Sequence, residues 1–216
     1  MTKVIIATCD DFTKETIKRC VHAVNPSLQI IDGSNDTNLL YHLKSAEDDI
    51  VFFDKFFLGY ILKFKIKALR IYNRNLRIFF CEKGSCSTYF GLRIHDLKVD
   101  GLISNISNSL EFEKTLRIVF SGKSYYPEYV DKAIEKNVQL RSRNYCAEIT
   151  EAEMAIGMYL GEGKSSKEIS ELLNLSYNSV RTLLHRLKYK IGYESMNDFA
   201  VLNRQLEKIN YRSWNC

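Results

Sequence analysis

The sequence predicts a doubly wound α/β domain followed by an all-α domain. Two patterns predict this. In residues 1–122, five short apolar runs alternate with helix-length segments, whereas from residue 148 onward the pattern is purely helical. Residues 123–147 are more polar and we interpret them as a linker, with one short helix around 127–137. The predicted domains are therefore residues 1–122 and residues 148–216.

The five apolar runs are rich in β-branched and aromatic residues: Val4–Ala7, Leu28–Ile31, Ile50–Phe53, Leu76–Phe80 and Gly101–Ile103. Continuous hydrophobicity of this kind is typical of parallel strands covered on both faces. Candidate helices lie near residues 12–24, 35–46, 59–72, 87–96 and 109–120. The functional crevice of such a sheet lies beyond the carboxyl ends of its strands. Those ends carry Asp10, Asp11, Asp54, Cys81 and Asn105.

The composition argues against several classes of protein. The 216 residues have a formal net charge of +5, which favours acidic partners. The longest apolar stretch, 50–62, contains Asp54 and Lys55 and is too short to span a membrane, so we expect a cytoplasmic protein. The 6 cysteines lack CxxC spacing and the 4 histidines are dispersed. We therefore expect no metal, no cofactor and no enzymatic activity.

The C-terminal segment carries clear helix boundaries. Thr150 and Glu153 form a capping box, and Gly163 suits the left-handed end of that helix. Ser165 or Ser166 caps a second helix, which runs from Lys167 to Leu173, and a third runs from Tyr177 to Ile191 and is closed by Gly192. Two short helices joined by a tight turn, the second longer and basic, form a helix-turn-helix.

The third helix has two chemically different faces. Val180, Leu184, Leu187 and Ile191 form an apolar stripe that must face the core. The other face is cationic and contains no acid, so it can enter the major groove of double-stranded DNA. A solvated charged face is the simpler alternative; a membrane-surface helix would need exposed bulky apolar anchors, which this face lacks.

The motifs over residues 148–203 resemble the LuxR/FixJ-type DNA-binding domain. They are 149–153 (Ile-Thr-Glu-Ala-Glu), 163–169 (Gly-Lys-Ser-Ser-Lys-Glu-Ile), 172–176 (Leu-Leu-Asn-Leu-Ser) and 179–181 (Ser-Val-Arg). The resemblance implies that Tyr177–Lys190 is the recognition helix. The implied DNA contacts are Lys167, Tyr177, Asn178, Arg181, Thr182, His185, Arg186, Lys188 and Lys190. The departures from the family pattern are Leu183 and Gly157.

The last predicted helix, near 195–206, carries Phe199, Leu202 and Leu206 on one stripe. These residues pack on the domain core, or they form the two-fold dimer contact that the resembling family makes with this helix. The implied assembly is a homodimer or a heterodimer with a related regulator, and RNA polymerase is a further candidate partner.

With a DNA-binding domain of this kind in its C-terminal part, the chain has an N-terminal α/β half that resembles the receiver domain of response regulators. Asp54 follows the third strand, as the phosphoacceptor does, and Phe57-Leu58-Gly59 follows where receivers have an apolar-Pro-Gly turn. Asp10 and Asp11 are candidates for the acidic pair that holds Mg²⁺ in receivers, although an ungapped alignment puts Thr8 and Cys9 there.

Three other receiver positions depart from the pattern. Cys81 or Glu82 stands at the hydroxyl position, Asn105 at the lysine position and Leu102 at the aromatic switch position. A fixed positive charge stabilises a transferred phosphoryl group, and Asn supplies none. We therefore predict a sequence-specific DNA-binding transcription regulator that conventional aspartyl phosphorylation does not switch. The alternative is a protein-interaction module, a heterodimerising co-regulator with auxiliary or lost DNA binding.

Overall fold

The structure is a computed structural model that describes residues 2–34, 36–43, 48–58, 62–136, 149–192, 195, 197–201 and 203. The strands are β1 Lys3–Ala7, β2 Gln29–Asp32, β3 Ile50–Phe53, β4 Arg77–Cys81 and β5 Gly101–Ile103. The helices are α1 Asp11–Val24, α2 Asp36–His42, α3 Leu62–Tyr72, α4 Thr88–Asp96, α5 Ser109–Phe120, α6 Glu128–Glu135, α7 Glu151–Gly161, α8 Ser166–Leu172 and α9 Tyr177–Ile191.

The five strands form one parallel sheet in the order β2-β1-β3-β4-β5. All four residues of β3 are buried, because hydrophobic layers cover both faces of the sheet. Residues of α2, α3 and α4 contribute to the layer on one face, and residues of α1 and α5 to the layer on the other. This arrangement confirms the predicted doubly wound α/β domain.

The N-terminal domain extends beyond residue 122, into the predicted linker. Tyr125 forms a bridge with Gly101 at the sheet edge, and the Tyr126 hydroxyl donates a hydrogen bond to the Val99 carbonyl at 2.5 Å. Helix α6 then packs against α4 through the fully buried Val130. The short helix predicted around 127–137 is thus α6, and it belongs to the first domain because its apolar side completes that core. Residues 137–147 lie outside the described part.

The C-terminal domain is built from α7, α8 and α9 around a small core of its own. Both predicted caps are present. Thr150 and Glu153 form the capping box of α7, and Ser165, rather than Ser166, forms a second one with Glu168 at α8. Helix α9 ends at Gly192, whose φ of 71° is left-handed. The helix-turn-helix arrangement is confirmed.

Two negative findings apply to the described ranges only. Every helix there is too short or too polar to cross a bilayer. No group of three or more His, Cys, Asp and Glu side chains there is arranged to hold a metal ion. The four cysteines within those ranges, Cys9, Cys20, Cys81 and Cys86, are free thiols.

Candidate nucleic-acid interface and strand-end cavity

Helix α9 is anchored by the apolar stripe that the sequence predicted. Val180, Leu187 and Ile191 are buried in the core, and Leu184 packs partly buried against it. At its start, the Ser176 hydroxyl accepts a hydrogen bond from the Ser179 backbone N–H at 3.0 Å. The helix is therefore held at its first turn and along one side, and its opposite side is left open.

The open side of α9 carries most of the predicted DNA contacts. Among them, the Arg181 guanidinium lies over the Tyr177 ring at 5.9 Å, and the His185 ring meets the Tyr189 ring edge-on at 4.6 Å. The Thr182 hydroxyl donates to the Asn178 carbonyl at 2.9 Å, which fixes its orientation. The exposed members of the predicted set are Lys167, Tyr177, Asn178, Arg181, Thr182, His185 and Arg186, and Lys188 is half-buried.

Lys190 was predicted to contact DNA, and the structure contradicts this. Its side chain is only 2% exposed, and its ammonium lies 2.6 Å from one Glu153 carboxylate oxygen and 2.9 Å from the other. A side chain held inside the domain in this way cannot reach a phosphate. Helical spacing placed Lys190 beside the cationic face, but the buried acid on α7 draws it into the core.

The predicted dimer stripe lies only partly within the described residues. Phe199 is fully buried in the core of the C-terminal domain, so the packing interpretation holds for this residue and the dimer interpretation does not. Leu202 and Leu206 lie outside the described residues.

A cavity of about 590 Å³ lies beyond the carboxyl ends of the strands, where the sheet topology predicts a functional crevice. Asp54, directly after β3, is 4% exposed. Its carboxylate accepts hydrogen bonds from the backbone N–H groups of Cys9, Phe56 and Phe57, at 2.5, 2.9 and 2.8 Å. Burial raises the pKa of Asp54 to about 6, although these three donors oppose the shift.

Of the predicted acidic pair, Asp10 and Asp11, only Asp10 lines the cavity. Asp10 lines the cavity, where it caps α1 through the Thr13 N–H and accepts a hydrogen bond from the Lys83 ammonium at 2.8 Å. Burial alone would raise the pKa of Asp10, but the bonds from Lys83 and Thr13 outweigh burial and lower it. The Asp11 side chain, in the first turn of α1, is fully exposed and does not line the cavity.

Asn105 does not line the cavity either. It is exposed and has a left-handed φ of 56°, with its backbone N–H donating to the Gly84 carbonyl at 3.0 Å. Two lysines that the sequence reasoning missed line the cavity instead, Lys55 and Lys83. Each directly follows a strand-end residue, Asp54 or Glu82, and this adjacency was the signal available in the sequence.

Glu82 occupies the cavity next to Asp54. One of its carboxylate oxygens accepts a hydrogen bond from the Lys55 backbone N–H at 2.9 Å, and the other lies 4.0 Å from the Lys55 ammonium. Burial raises the pKa of Glu82 to about 8, against the opposing effect of Lys55. Cys81 is 1% exposed, and burial raises the pKa of its thiol as well. Both candidates for the receiver hydroxyl position, Cys81 and Glu82, thus line the cavity.

Comparisons with known proteins agree with this two-domain organisation. The family model of sigma-70, region 4, matches residues 151–191, which comprise α7, α8 and α9. The Fimbriae Z protein of Salmonella typhimurium is 22% identical over 173 residues, covering 80% of this chain and 82% of that protein. The Fimbriae Z protein of Escherichia coli K12 is 22% identical over 182 residues, covering 82% and 86%.

Solved structures with the same fold include RcsB from Salmonella enterica serovar Typhimurium, bound to a promoter in the presence of the phosphomimetic BeF3−. That likeness has a TM-score of 0.55 and 22% identity, and covers 96% of this chain and 98% of the other. The isolated apo REC domain of the same RcsB matches with a TM-score of 0.50 and 18% identity, over 62% of this chain and 98% of that domain.

Fold and domain order are thus those of a receiver-like α/β domain followed by a C-terminal helix-turn-helix domain. The chain is similar over most of its length to the Fimbriae Z proteins and shares its fold with RcsB, which agrees with the resemblance of its motifs to the LuxR/FixJ-type response regulators.

Proposed function

We propose that this chain is a transcription regulator that binds double-stranded DNA by inserting α9 into the major groove. The observation that carries the proposal is the open face of α9, on which Arg181, His185 and Arg186 are exposed while the opposite stripe is locked in the core. Helix α9 contains no acidic residue, so DNA phosphates meet no repulsion along it. The likeness to RcsB, which is described bound to a promoter, supports the same function. A regulator of this kind works in the cytoplasm, where the DNA is.

Within this face we assign different roles to different side chains. Arg181, which the Tyr177 ring holds in place, reads a base edge together with Thr182 and His185. Lys167, Arg186 and Lys188 bind phosphates and set the position of the helix on the duplex. The alternative, an interaction module with auxiliary or lost DNA binding, leaves unexplained why the exposed face of α9 carries only basic charges and no acid.

We further propose that an aspartyl phosphate at Asp54 does not switch the protein. A phosphoryl group would add up to two negative charges to a cavity that already holds the carboxylates of Asp10 and Asp198. These acids engage the two cavity lysines, Asp10 engaging Lys83 and Asp198 engaging Lys55. Because the phosphoryl group would then interact about equally well with either conformation of the N-terminal domain, phosphorylation would not shift the conformational equilibrium of that domain.

The DNA-binding proposal is tested by recovering DNA bound to the full-length protein in cells, then measuring affinity for the enriched sequences by fluorescence anisotropy at fixed salt. A double variant, Arg181→Ala with Arg186→Ala, is expected to lose enrichment. Its matched control is Lys114→Ala, which removes an exposed lysine from α5. Equal binding by the double variant and the wild type would contradict the proposal.

For assembly, we propose that the protein binds its operator as a dimer, either with itself or with a related regulator, through the stripe that includes Leu202 and Leu206. Leu202→Asp is then expected to reduce dimer formation on DNA in sedimentation experiments, with circular dichroism checking the fold. Phe199→Ala is the comparison variant. Because Phe199 lies in the core, its truncation should lower the unfolding free energy of the domain without specifically weakening dimer formation.

A further inference from the structure

The loop that begins at Asp54 belongs to the N-terminal domain and also contacts the C-terminal domain. Phe56 of this loop packs against the core of the C-terminal domain, alongside residues from α7, α8 and α9. The cavity at the strand ends is correspondingly lined from both sides, with Asn197, Asp198 and Val201 as its C-terminal wall. We define Asp54–Phe57 as the clamp loop.

Lys55 of the clamp loop joins groups from both domains. Its ammonium lies 3.3 Å from the Gly192 carbonyl and 3.8 Å from the Asp198 carboxylate, both in the C-terminal domain, and 4.0 Å from Glu82 in the N-terminal domain. The Lys55, Glu82 and Asp198 side chains are 15%, 11% and 18% exposed, so water screens these contacts only partly.

A second contact lies nearby on α4. Arg93 is 3% exposed, and its guanidinium donates to the Lys190 carbonyl in the last turn of α9. Gly192 packs on the Phe90 ring so closely that an added Cβ would approach within 2.9 Å, and its φ of 71° also favours glycine. The last carbonyls of a helix lack partners within it and carry its negative dipole end. Lys55 and Arg93 thus satisfy two carbonyls at the end of the recognition helix from another domain.

Asp54 holds the clamp loop in shape. One oxygen of its carboxylate accepts both the Phe56 and the Phe57 backbone N–H groups, while the other accepts the Cys9 N–H from the end of β1. Side-chain acceptance two and three residues onward fixes a tight turn. This turn projects Lys55 and Phe56 toward the C-terminal domain, so the buried carboxylate and the interdomain contacts are mechanically linked.

We propose that the clamp loop, together with α4, fastens the last turn of the recognition helix to the N-terminal domain, and that Asp54 is the positioning residue of this clamp. Asp54 then serves as an acceptor of hydrogen bonds rather than of a phosphoryl group. The DNA-facing side of α9 stays open in the clamped state, because Arg181 and His185 remain exposed. The clamp therefore sets the orientation of the DNA-facing side of α9 relative to the N-terminal domain. This inference does not depend on DNA binding.

The test measures domain separation and helix-end protection in the full chain without DNA. Small-angle scattering gives the radius of gyration, and hydrogen exchange reports the amides of the last turn of α9. Lys55→Ala and Asp54→Ala should each raise the radius of gyration and make those amides exchange roughly 3- to 10-fold faster, the effect of losing one or two net hydrogen bonds. Asp54→Asn keeps one acceptor oxygen for the two loop N–H groups but loses the oxygen that accepts from Cys9, so it should fall between wild type and Asp54→Ala.

Lys83→Ala is the matched control, since Lys83 lines the same cavity but pairs with Asp10 of its own domain. Wild-type scattering and exchange in folded Lys55→Ala would overturn the clamp. An Asp54→Ala variant as compact and as protected as wild type would overturn the positioning role of its hydrogen bonds. If Asp54→Ala fails to fold, Asp54→Asn takes its place, and wild-type exchange of the α9 amides in that variant would overturn the positioning role. Phe56→Ala then tests the clamp itself, because Phe56 packs on the other domain and is absent from the N-terminal core.

Discussion

Lys190 of α9 and Glu153 of α7 form an ion pair inside the C-terminal domain, with 2.6 Å between the ammonium and one carboxylate oxygen and both side chains 2% exposed. The same carboxylate accepts the Thr150 backbone N–H at 2.8 Å, so Glu153 serves the cap of α7 and the pair at once. Two charges withdrawn from water are tolerated only when both are bonded, and each partner here meets that condition.

Lys190→Ala should therefore destabilise the domain strongly. It leaves the Glu153 charge buried without its partner, which costs about 3–5 kcal/mol of unfolding free energy. Arg186→Ala, at an exposed position of the same helix, should change stability by at most about 0.5 kcal/mol. Urea unfolding of both variants measures the difference. A Lys190→Ala protein as stable as Arg186→Ala would mean that the pair does not form in solution.

Arg181→Ala should weaken binding to the specific site by about 1–3 kcal/mol while changing nonspecific affinity little. Lys188→Ala should weaken binding to all sequences alike and reduce the slope of log affinity against log salt by about 1. Anisotropy titrations at several salt concentrations, on operator and on scrambled DNA, separate the two effects. The assignment of roles is wrong if both variants lose affinity in the same proportion on both DNAs.

The unfolding free energy should fall as pH rises from about 5 to 8, because the folded-state pKa values of Asp54 and Glu82 are raised to about 6 and about 8. In that window the folded chain binds more protons than the unfolded chain, so raising the pH favours unfolding. Glu82→Gln should flatten the fall by up to about 1.4 kcal/mol per pH unit. Glu111→Gln, at an exposed glutamate of α5, is the control. If the unfolding free energy of Glu82→Gln depends on pH as that of the wild type does, the raised pKa of Glu82 is wrong.

Acetyl phosphate with Mg²⁺ should fail to label Asp54, because Asp198 and Asp10 already engage the two cavity lysines. Mass spectrometry of the intact protein, with a conventional receiver as positive control, measures labelling. Asp54→Asn, which removes the carboxylate that would be phosphorylated, should leave operator affinity and reporter output nearly unchanged, because the DNA-facing side of α9 stays open. Stoichiometric labelling that tightens operator binding would show that the domain is a working phosphorylation switch.

The sequence by itself determined the regular elements and their order. The apolar runs became β1 to β5, and the most deeply buried of them, β3 and β4, show the continuous hydrophobicity typical of strands covered on both faces. The helix boundaries at Thr150, Ser176 and Gly192 were equally readable, because caps are local interactions within a few residues.

Only the tertiary structure decided which charged residues face solvent and which face each other. Lys190 and Glu153 are 37 residues apart, and Lys55 lies 137 residues from Gly192, so no local spacing announces either contact. The acids and lysines of the cavity likewise come from separate strand ends and, in the case of Asp198, from the C-terminal domain. Helical periodicity gives the direction of a side chain around its own axis. Whether an oppositely charged side chain lies in that direction depends on how segments that are distant in sequence pack together. Helical periodicity therefore predicted the exposed cationic face correctly, but it could not predict that Lys190 pairs with Glu153.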